Sequence, residues 1–305
     1  MSSARFVLLV SHTRREEAMA ATRVAVEKLI AAGITPVMTS AELADFATHA
    51  AGLESQVKEL GKDCEQAQLE LVMVLGGDGT ILKAAEVVRE SSVPLVGINL
   101  GHVGFLAESE SEDLAEVVSR VAAKQYKIRE RVTLDVTVLV DGKEVYKSWA
   151  LNEATVEKSE RERMLEVVVE VEGHPLSSFG CDGIVISTPT GSTAYAFSAG
   201  GPIVWPTVDA LMLVPLSAHA LFARPLVIRP DALLAVEVLQ RSAGHGILWC
   251  DGRRSVELQP GARVEVRKSA QPVRIARMHE GKFTDRLVKK FQLPVTGWRG
   301  TDHRK

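Results

Sequence analysis

The first part of the chain alternates short, wholly apolar runs with longer segments of helical pattern. "FVLLV" at 6–10 is followed by a helical stretch from Arg14 to Ala32, closed by Gly33. "LVMVL" at 71–75 precedes a second such stretch, Thr80 to Glu90, and then comes "PLVGINL". Strands alternating with helices in this way predict a parallel sheet covered on both faces. Between them Ala41 to Glu70 is polar and alanine-rich and reads as one or two helices. Near Glu130 the period changes. "TLDVTVLVDGKEVYKSW" alternates apolar and polar residues around Asp141-Gly142, which predicts a β-hairpin with a type I′ turn. Short runs of the same kind follow: "LEVVVEVEG", "GIVIST", "PLVIRP", "LLAVEVLQ", "HGILWCDGR", "ARVEVRKS" and "PVRIARM". The expectation is an α/β domain over 1–130 and a β-rich domain over 131–281. Beyond Met278 the pattern turns helical again in "FTDRLVKKFQL", and 282–305 are expected to pack back on the first domain. One break, Pro189 to Pro206, is rich in Gly, Ser and Thr and too long for a simple turn, so it is expected to be functional.

Composition narrows the classes. A chain of 305 residues with 46% hydrophobic and 25% charged residues can bury two cores. No apolar run approaches the roughly 18 residues needed to cross a bilayer, and Met1 to Phe6 lacks the basic and apolar regions of a signal peptide. A cytoplasmic protein with no membrane partner is expected. Cys64, Cys181 and Cys250 are too scattered for a disulfide framework or for metal-ligand spacing, so no metal site built directly from a side-chain cluster is expected. A net charge of −3 with both signs interspersed gives no footprint for nucleic acid, and the basic tail "WRGTDHRK" reads as a solvated terminus.

The chemistry concentrates in three glycine-rich places. In Gly76-Gly77-Asp78-Gly79-Thr80 a turn between strand and helix brings backbone N–H groups and a helix N-terminus to one point, which suits phosphate oxygens. Its spacing is neither that of the P-loop nor that of the dinucleotide fingerprint. Asp78 has three readings: a ligand of Mg²⁺ carried on phosphates, a proton acceptor from an attacking hydroxyl, or a cap of the following helix. "GINLGHVGFL", Gly97 to Leu106, follows the next strand, where ligands of open α/β sheets bind, and is expected to line the same crevice. Its His102 reads as a structural hydrogen-bonder. The third place, Cys181 to Pro206, carries Asp182 and then a cluster of hydroxyls and small residues from Ser187 to Tyr195 that would surround a ligand with donors and acceptors. No serine-nucleophile motif is present in it. Asn152-Glu153 follows "WAL", and "KSERER" at 158–163 reads as a solvated face.

Taken together and in this order, "GGDGT", "GINLGHVGFL", "LNEAT" and "STPTGSTAY" resemble the NAD kinases, specifically the bacterial ATP- or polyphosphate-dependent kind, over nearly the whole chain. "GGDGT" alone is shared with diacylglycerol and sphingosine kinases. The resemblance implies an α/β Rossmann-like N-terminal domain plus a β-rich, sandwich-like C-terminal domain, with NAD in the crevice between them. It implies that Asp78 takes the proton from the adenosine 2′-hydroxyl of NAD as that oxygen attacks the terminal phosphoryl group of ATP or inorganic polyphosphate. Gly79 lies beside it, and Gly76, Gly77, Gly79 and Thr80 form the donor loop. Asn152 and Glu153 bind NAD; Asp182 and the run Thr193, Ala194, Tyr195, Ala196, Phe197 and Ser198 hold its nicotinamide-ribose and adenine parts. Lys83 and Arg163 stand where relatives place a basic residue near phosphates. Mg²⁺ or another divalent cation accompanies the donor, and a homodimer or homotetramer is implied. Many relatives carry a basic or histidine side chain two positions before the residue matching Asp182; here that position is Gly180, which leaves its replacement open. Asp251-Gly252 also resembles a family feature, with no partner assigned. A lipid kinase would need an apolar groove or membrane-binding stretch, neither of which is evident, and a non-catalytic NADP(H) sensor would be favoured by loss of the glycines or of Asp78, which are intact.

Overall fold

The computed structural model describes residues 4–295 apart from 14, 51, 101–103, 108, 111–113, 162 and 279–280. The chain divides into two compact units, 1–130 with 274–305, and 131–273.

The first unit begins with β1 (Phe6–Ser11), α1 (Glu16–Ala31), β2 (Thr35–Met38), α2 (Ser40–His49), β3 (Lys58–Glu59), β4 (Leu69–Leu75) and α3 (Asp78–Val87). It continues through β5 (Leu95–Asn99), β6 (Ser109–Glu110), α4 (Leu114–Ala122) and β7 (Lys127–Arg131). The helices form because their apolar residues fall on one stripe. In α1 the buried positions are Ala18, Met19, Thr22, Ala25, Val26 and Leu29, with Glu16 and Glu17 in the first turn and Lys28 in the last, where each charge complements the helix dipole. Gly33, at φ +71°, ends that segment. The second unit runs from β8 (Leu134–Val140) and β9 (Lys143–Ala150) through β10 (Glu153–Lys158), β11 (Leu165–Val171), β12 (His174–Cys181), β13 (Gly183–Ser187) and the single turn α5 (Tyr195–Ser198). After it come β14 (Leu211–Leu216), β15 (Leu226–Ile228), β16 (Leu234–Val238), β17 (Gly246–Cys250), β18 (Arg254–Leu258) and β19 (Arg263–Lys268). The chain then returns to the first unit as β20 (Val273–Arg277) and α6 (Phe283–Phe291).

The first sheet has the order β3-β2-β1-β4-β5-β20-β7, with β6 also on β5, and its β1–β2, β1–β4, β4–β5 and β5–β20 pairs are parallel. This is the Rossmann-like arrangement. Its central strands β1 and β4 are buried along almost their whole length, as a sheet covered on both faces requires. The second unit is a sandwich of two six-stranded antiparallel sheets, β15-β14-β13-β10-β17-β18 and β12-β11-β16-β19-β8-β9. Val136, Val167, Val236 and Val264 of one sheet meet Val156, Ile184, Leu213 and Leu248 of the other in one core. The hairpin at Asp141-Gly142 has φ of +51° and +73°, the two positive values of a type I′ turn, and Glu172-Gly173 repeats the device between β11 and β12.

Four expectations change. β2 is a strand that no periodicity announced, since "TPVM" has only four residues and a proline. The described residues of Ala41–Glu70, expected to hold one or two helices, hold one α-helix and, besides it, two short 3₁₀ turns, the two-residue β3 and the start of β4. The run at 273–277, whose alternation suited the β-rich portion, pairs in parallel with β5 and belongs to the first sheet. The helix expected from Thr80 to Glu90 spans Asp78–Val87, with Gly77 as its N-cap, so Asp78 lies inside the first turn and is not the capping residue.

Candidate active site

In the first unit, β4 delivers the chain to Gly76 and Gly77, and α3 starts at Asp78. The Gly76 N–H donates to Ile98 O of β5 at 2.9 Å and the Thr80 N–H to Gly77 O at 2.9 Å, so these two are spent within the turn. The N–H groups of Gly77, Asp78 and Gly79, which open the helix and lack intrahelical partners, are the ones placed for an anion. The Asp78 carboxylate accepts the Phe105 N–H on Oδ2 at 3.0 Å and the Leu106 N–H on Oδ1 at 3.0 Å. A Cβ at Gly104 would overlap Asp78 Oδ1, so only glycine lets the backbone come this close. The second glycine-rich turn is thus the support of Asp78; its His102 lies outside the described residues. Phe105 is in turn clamped from α6: its ring lies 5.9 Å from that of Phe283 and 5.8 Å from that of Phe291, and Arg286 Nη1 donates to its carbonyl at 2.8 Å. Lys83 Nζ lies 2.7 Å from Glu42 Oε1, a carboxylate only 3% exposed that also accepts from Thr39 Oγ1.

The second unit gathers its own set. Period-2 alternation along β10 turns Ala154 and Val156 into the sandwich core and Glu153, Thr155 and Glu157 to the other face. The α5 turn packs on that same outer face through Ala196 against Val185 and Val214. Gly191 is pressed on Asn152, where a Cβ would overlap the carbonyl oxygen. The loop's hydroxyls go mostly inward. Ser187 Oγ donates to Asn152 O at 3.1 Å, Thr188 Oγ1 to Leu151 O at 2.6 Å and Ser192 Oγ to Pro189 O at 2.7 Å, and all three residues are fully buried. The reading of this cluster as ligand donors is corrected for Ser187, Thr188 and Ser192, whose hydroxyls build the loop, while Tyr195, Phe197 and Ser198 are among its exposed residues.

Electrostatics single out two buried carboxylates. Asp251, at φ +55°, accepts N–H bonds from Leu151 (2.9 Å) and Asn152 (2.7 Å) and from Arg254 Nη2 (3.0 Å). Burial raises its pKa above the ordinary aspartate value, but those N–H groups and the Arg254 guanidinium oppose the rise. Glu153, 7% exposed, has only the Tyr195 N–H to oppose its burial and the Asp251 charge, and is pushed up to about 8. The proton of this pair therefore rests on Glu153 near neutral pH. Its Oε2 is buried with no hydrogen-bond partner among the described residues. Asp182 is held the other way: Lys158 Nζ at 2.5 Å, then the Ser217 hydroxyl, keep its carboxyl below the usual range. Burial, followed by Glu157, Glu153 and Asp182, raises the Tyr195 phenol, so its surroundings are acidic. Burial also pushes Cys250 up to about 11 and Cys181 up to about 12, leaving neither thiol as a nucleophile.

Comparison with known proteins supplies the family. The family model for the ATP-NAD kinase N-terminal domain matches residues 7–126, and that for the ATP-NAD kinase C-terminal domain matches 151–278. The chain belongs to the NAD kinase family. It is 60% identical to an NAD kinase of Leifsonia xyli over 304 residues, covering 100% of both chains, and 56% identical to NAD kinase 2 of Streptomyces coelicolor, covering 98% of both. Its fold matches that of the yeast NADH kinase complexed with NADH at a TM-score of 0.85, with 19% identity over 96% of this chain and 89% of that one. An NAD kinase from Archaeoglobus fulgidus in complex with ATP matches at 0.66, with 23% identity over 94% and 98%. The chain is accordingly a phosphotransferase with the two-domain NAD kinase fold.

Within this NAD kinase fold, Asp78 and Gly79 stand together at the helix N-terminus, and the Thr193–Ser198 segment adjoins Asn152 and Glu153 through Gly191 against Asn152 and the Tyr195 N–H on the Glu153 carboxyl. Arg163 is engaged elsewhere, donating to Ala243 O at 2.8 Å and pairing with Glu160. The space beside Gly180 is filled by the Met164 methyl, and the Gly180 carbonyl accepts the His219 N–H at 2.9 Å. Sequence reasoning missed the supports: Gly104, the Phe105 and Leu106 N–H groups, and the Asp251 carboxylate that fixes the Leu151–Asn152 turn. "DG" after a strand signalled a turn at Asp251, but nothing local could name a partner a hundred positions away. Among the described residues no group of three or more His, Cys, Asp or Glu gathers as a metal site, and no helix is long and apolar enough to cross a membrane.

Proposed function

We propose that the chain phosphorylates the adenosine 2′-hydroxyl of NAD, with ATP or inorganic polyphosphate as donor, and that Asp78 is the proton acceptor. The observation that carries the reading is the Asp78 carboxylate itself, fixed by two backbone N–H groups beside a glycine turn and still retaining a second lone pair on each oxygen. A hydroxyl can hydrogen-bond to such a lone pair and be aligned before it reacts. An ordinary aspartate carboxylate is a poor base for a ribose hydroxyl, so the proton moves late, in step with a loose transition state in which alignment and charge neutralisation do most of the catalysis. The N–H groups of Gly77, Asp78 and Gly79 hold donor phosphate oxygens. Asn152, Glu153, Asp182 and the exposed part of Thr193 to Ser198 hold the dinucleotide, with the protonated Glu153 able to donate from the carboxyl whose Oε2 has no partner among the described residues.

One carboxylate oriented at a helix N-terminus fits a divalent cation that arrives on the donor's phosphates and takes few protein ligands. When bound, Mg²⁺ neutralises charge on the transferring group. Among the described residues of that turn, Asp78 is the side chain that would contact it. Lys83, one turn into α3 and anchored on Glu42, and the exposed Arg163 are the cations that would face phosphates of the ligands. The reading includes a cytoplasmic location and a homodimer or homotetramer. The test is NADP⁺ formation from NAD⁺ by the purified protein with Mg-ATP and, in parallel, Mg-polyphosphate, read through an NADP-specific dehydrogenase. Turnover with either donor supports the reading and identifies the donor; no turnover with both, while NADP⁺ still binds, replaces it with a sensor.

A further inference from the structure

We infer that Asp251 is a positioning residue for the dinucleotide: from behind the turn that carries Asn152 and Glu153 it fixes their backbone and, as a second carboxylate beside Glu153, makes that side chain meet the ligand as a hydrogen-bond donor. It rests on Glu153 facing the dinucleotide and names what decides the form in which Glu153 does so.

Asp251 and Arg254, at the turn from β17 to β18, grip the backbone of 149–153. The Asp251 carboxylate accepts the N–H groups of Leu151, Asn152 and Glu153 at 2.9, 2.7 and 3.4 Å, and the Asp251 N–H donates to Glu153 O at 2.9 Å. Arg254 Nη2 bridges Asp251 Oδ2 at 3.0 Å and Trp149 O at 2.8 Å, and its guanidinium lies 4.6 Å from the centre of the Trp149 ring. On the other side Thr188 Oγ1 donates to Leu151 O, and the Ser187 hydroxyl and the Thr188 N–H donate to Asn152 O. The backbone N–H and C=O groups of 151–153 are thus spent within the protein, and what this turn offers a ligand is its side chains. Asp251, with a side chain only 1% exposed, acts through them and not on the ligand.

The two carboxylates compete for one proton, and their partners decide which keeps it. Asp251 has N–H donors and a guanidinium that favour its charged form; Glu153 has the Tyr195 N–H. The titratable groups facing Glu153 are Asp251, with Arg254 beside it, from the β17–β18 turn, Glu157 from its own strand and the Tyr195 phenol from α5. Both acids oppose a charge on Glu153, so it keeps the proton. Its Oε2, buried with no partner among the described residues, is the atom left for a ligand. A neutral carboxyl donates to an acceptor atom of the dinucleotide and adds no negative charge to a site that takes an anionic diphosphate. Without the Asp251 charge Glu153 would release its proton at lower pH, become an acceptor and repel that diphosphate.

The experiment follows the Glu153 carboxyl by carbon NMR in the ligand-free full chain labelled at its glutamates, the signal being the one absent from Glu153→Gln. NAD⁺ affinity is measured by calorimetry over the same pH range. In the parent, Glu153 should titrate at about pH 8 and NAD⁺ binding should weaken as pH rises through that value. The double variant Asp251→Asn, Arg254→Gln keeps an oxygen for the backbone N–H groups and gives the new amide a side-chain carbonyl to donate to, so both charges go while the hydrogen bonds stay. Its Glu153 titration and the pH at which NAD⁺ binding weakens should both fall by at least about one unit. Arg254→Lys loosens the hold on Trp149 and leaves the Asp251 charge, so it should keep the parent profile; a merely structural role would move it as the double variant moves. An unmoved Glu153 signal in the folded double variant, an equal shift in Arg254→Lys, or NAD⁺ binding by Glu153→Gln that still weakens across about pH 8 would each overturn the inference. The NMR measurement needs no ligand, so a failure of Asp251 to act on Glu153 is distinguishable from a failure of the dinucleotide reading, which would show as a parent that does not bind NAD⁺.

Discussion

With both Asp78 oxygens occupied by backbone N–H groups, Asp78→Asn replaces an acceptor by an amide and leaves one of those donors facing another donor. NAD binding should survive, while kcat falls by roughly 10²- to 10⁴-fold, the range of a positioned general base. A variant keeping more than about a tenth of the parent rate would remove Asp78 from that role. Gly104→Ala tests the support: its methyl must push Asp78 aside, so kcat should fall at least tenfold with little change in KM for NAD. Glu153 gives a pH-dependent expectation. Between its unfolded value of 4.5 and its folded value of about 8, the folded chain holds a proton that the unfolded chain has released, so its contribution to stability is lost as pH rises through that window. Glu153→Gln keeps the neutral shape without the titration; the fall in melting temperature from about pH 5 to about pH 9 should shrink by the equivalent of up to a few kcal/mol. An unchanged pH profile would place the proton elsewhere. Asp78 itself was legible as a chemical residue from "GGDGT", and Glu153 as a candidate only by its surroundings in "LNEAT". What neither stretch disclosed was environment, because the groups that set it come from Phe105, Leu106, Tyr195 and Asp251.

At the scale of elements, α6 is the part whose position matters most for its size. Its nine residues place Phe283 and Phe291 against Phe105 and send Arg286 to the Phe105 carbonyl, on the segment that holds Asp78. Phe291→Ala is expected to cost about 1–2 kcal/mol of stability, less than a full core truncation because the ring is only half-buried, and to lower kcat more than it raises KM. If kcat were untouched at equal folding, α6 would be mere covering. The helical pattern of "FTDRLVKKFQL" announced this element, but a pattern states which face is apolar and not what that face covers. The same limit applies to the strands. Continuous apolar runs gave β1, β4 and β5, and alternation with "DG" gave the β8–β9 hairpin, because those signals are local. β20 was assigned to the wrong sheet, since an edge alternation is compatible with either and pairing with β5 is a contact across 180 positions.

For the whole molecule, the distribution of charge carries more information than its sum. The net value of −3 argues against a nucleic-acid backbone as partner, yet it does not say where charges meet: folding sets Asp251 beside Arg254 and against the Glu153 backbone, about a hundred positions away. By itself the sequence determined the class of each half, from the period of its apolar residues, and the kinase chemistry, from short glycine-rich motifs whose residues act within one turn of one another. Tertiary structure alone decided which hydroxyls turn inward, which carboxylate keeps a proton and what supports Asp78. Each of these depends on burial and on partners distant in the chain, and the desolvation and hydrogen bonding that follow exist only once those partners have met.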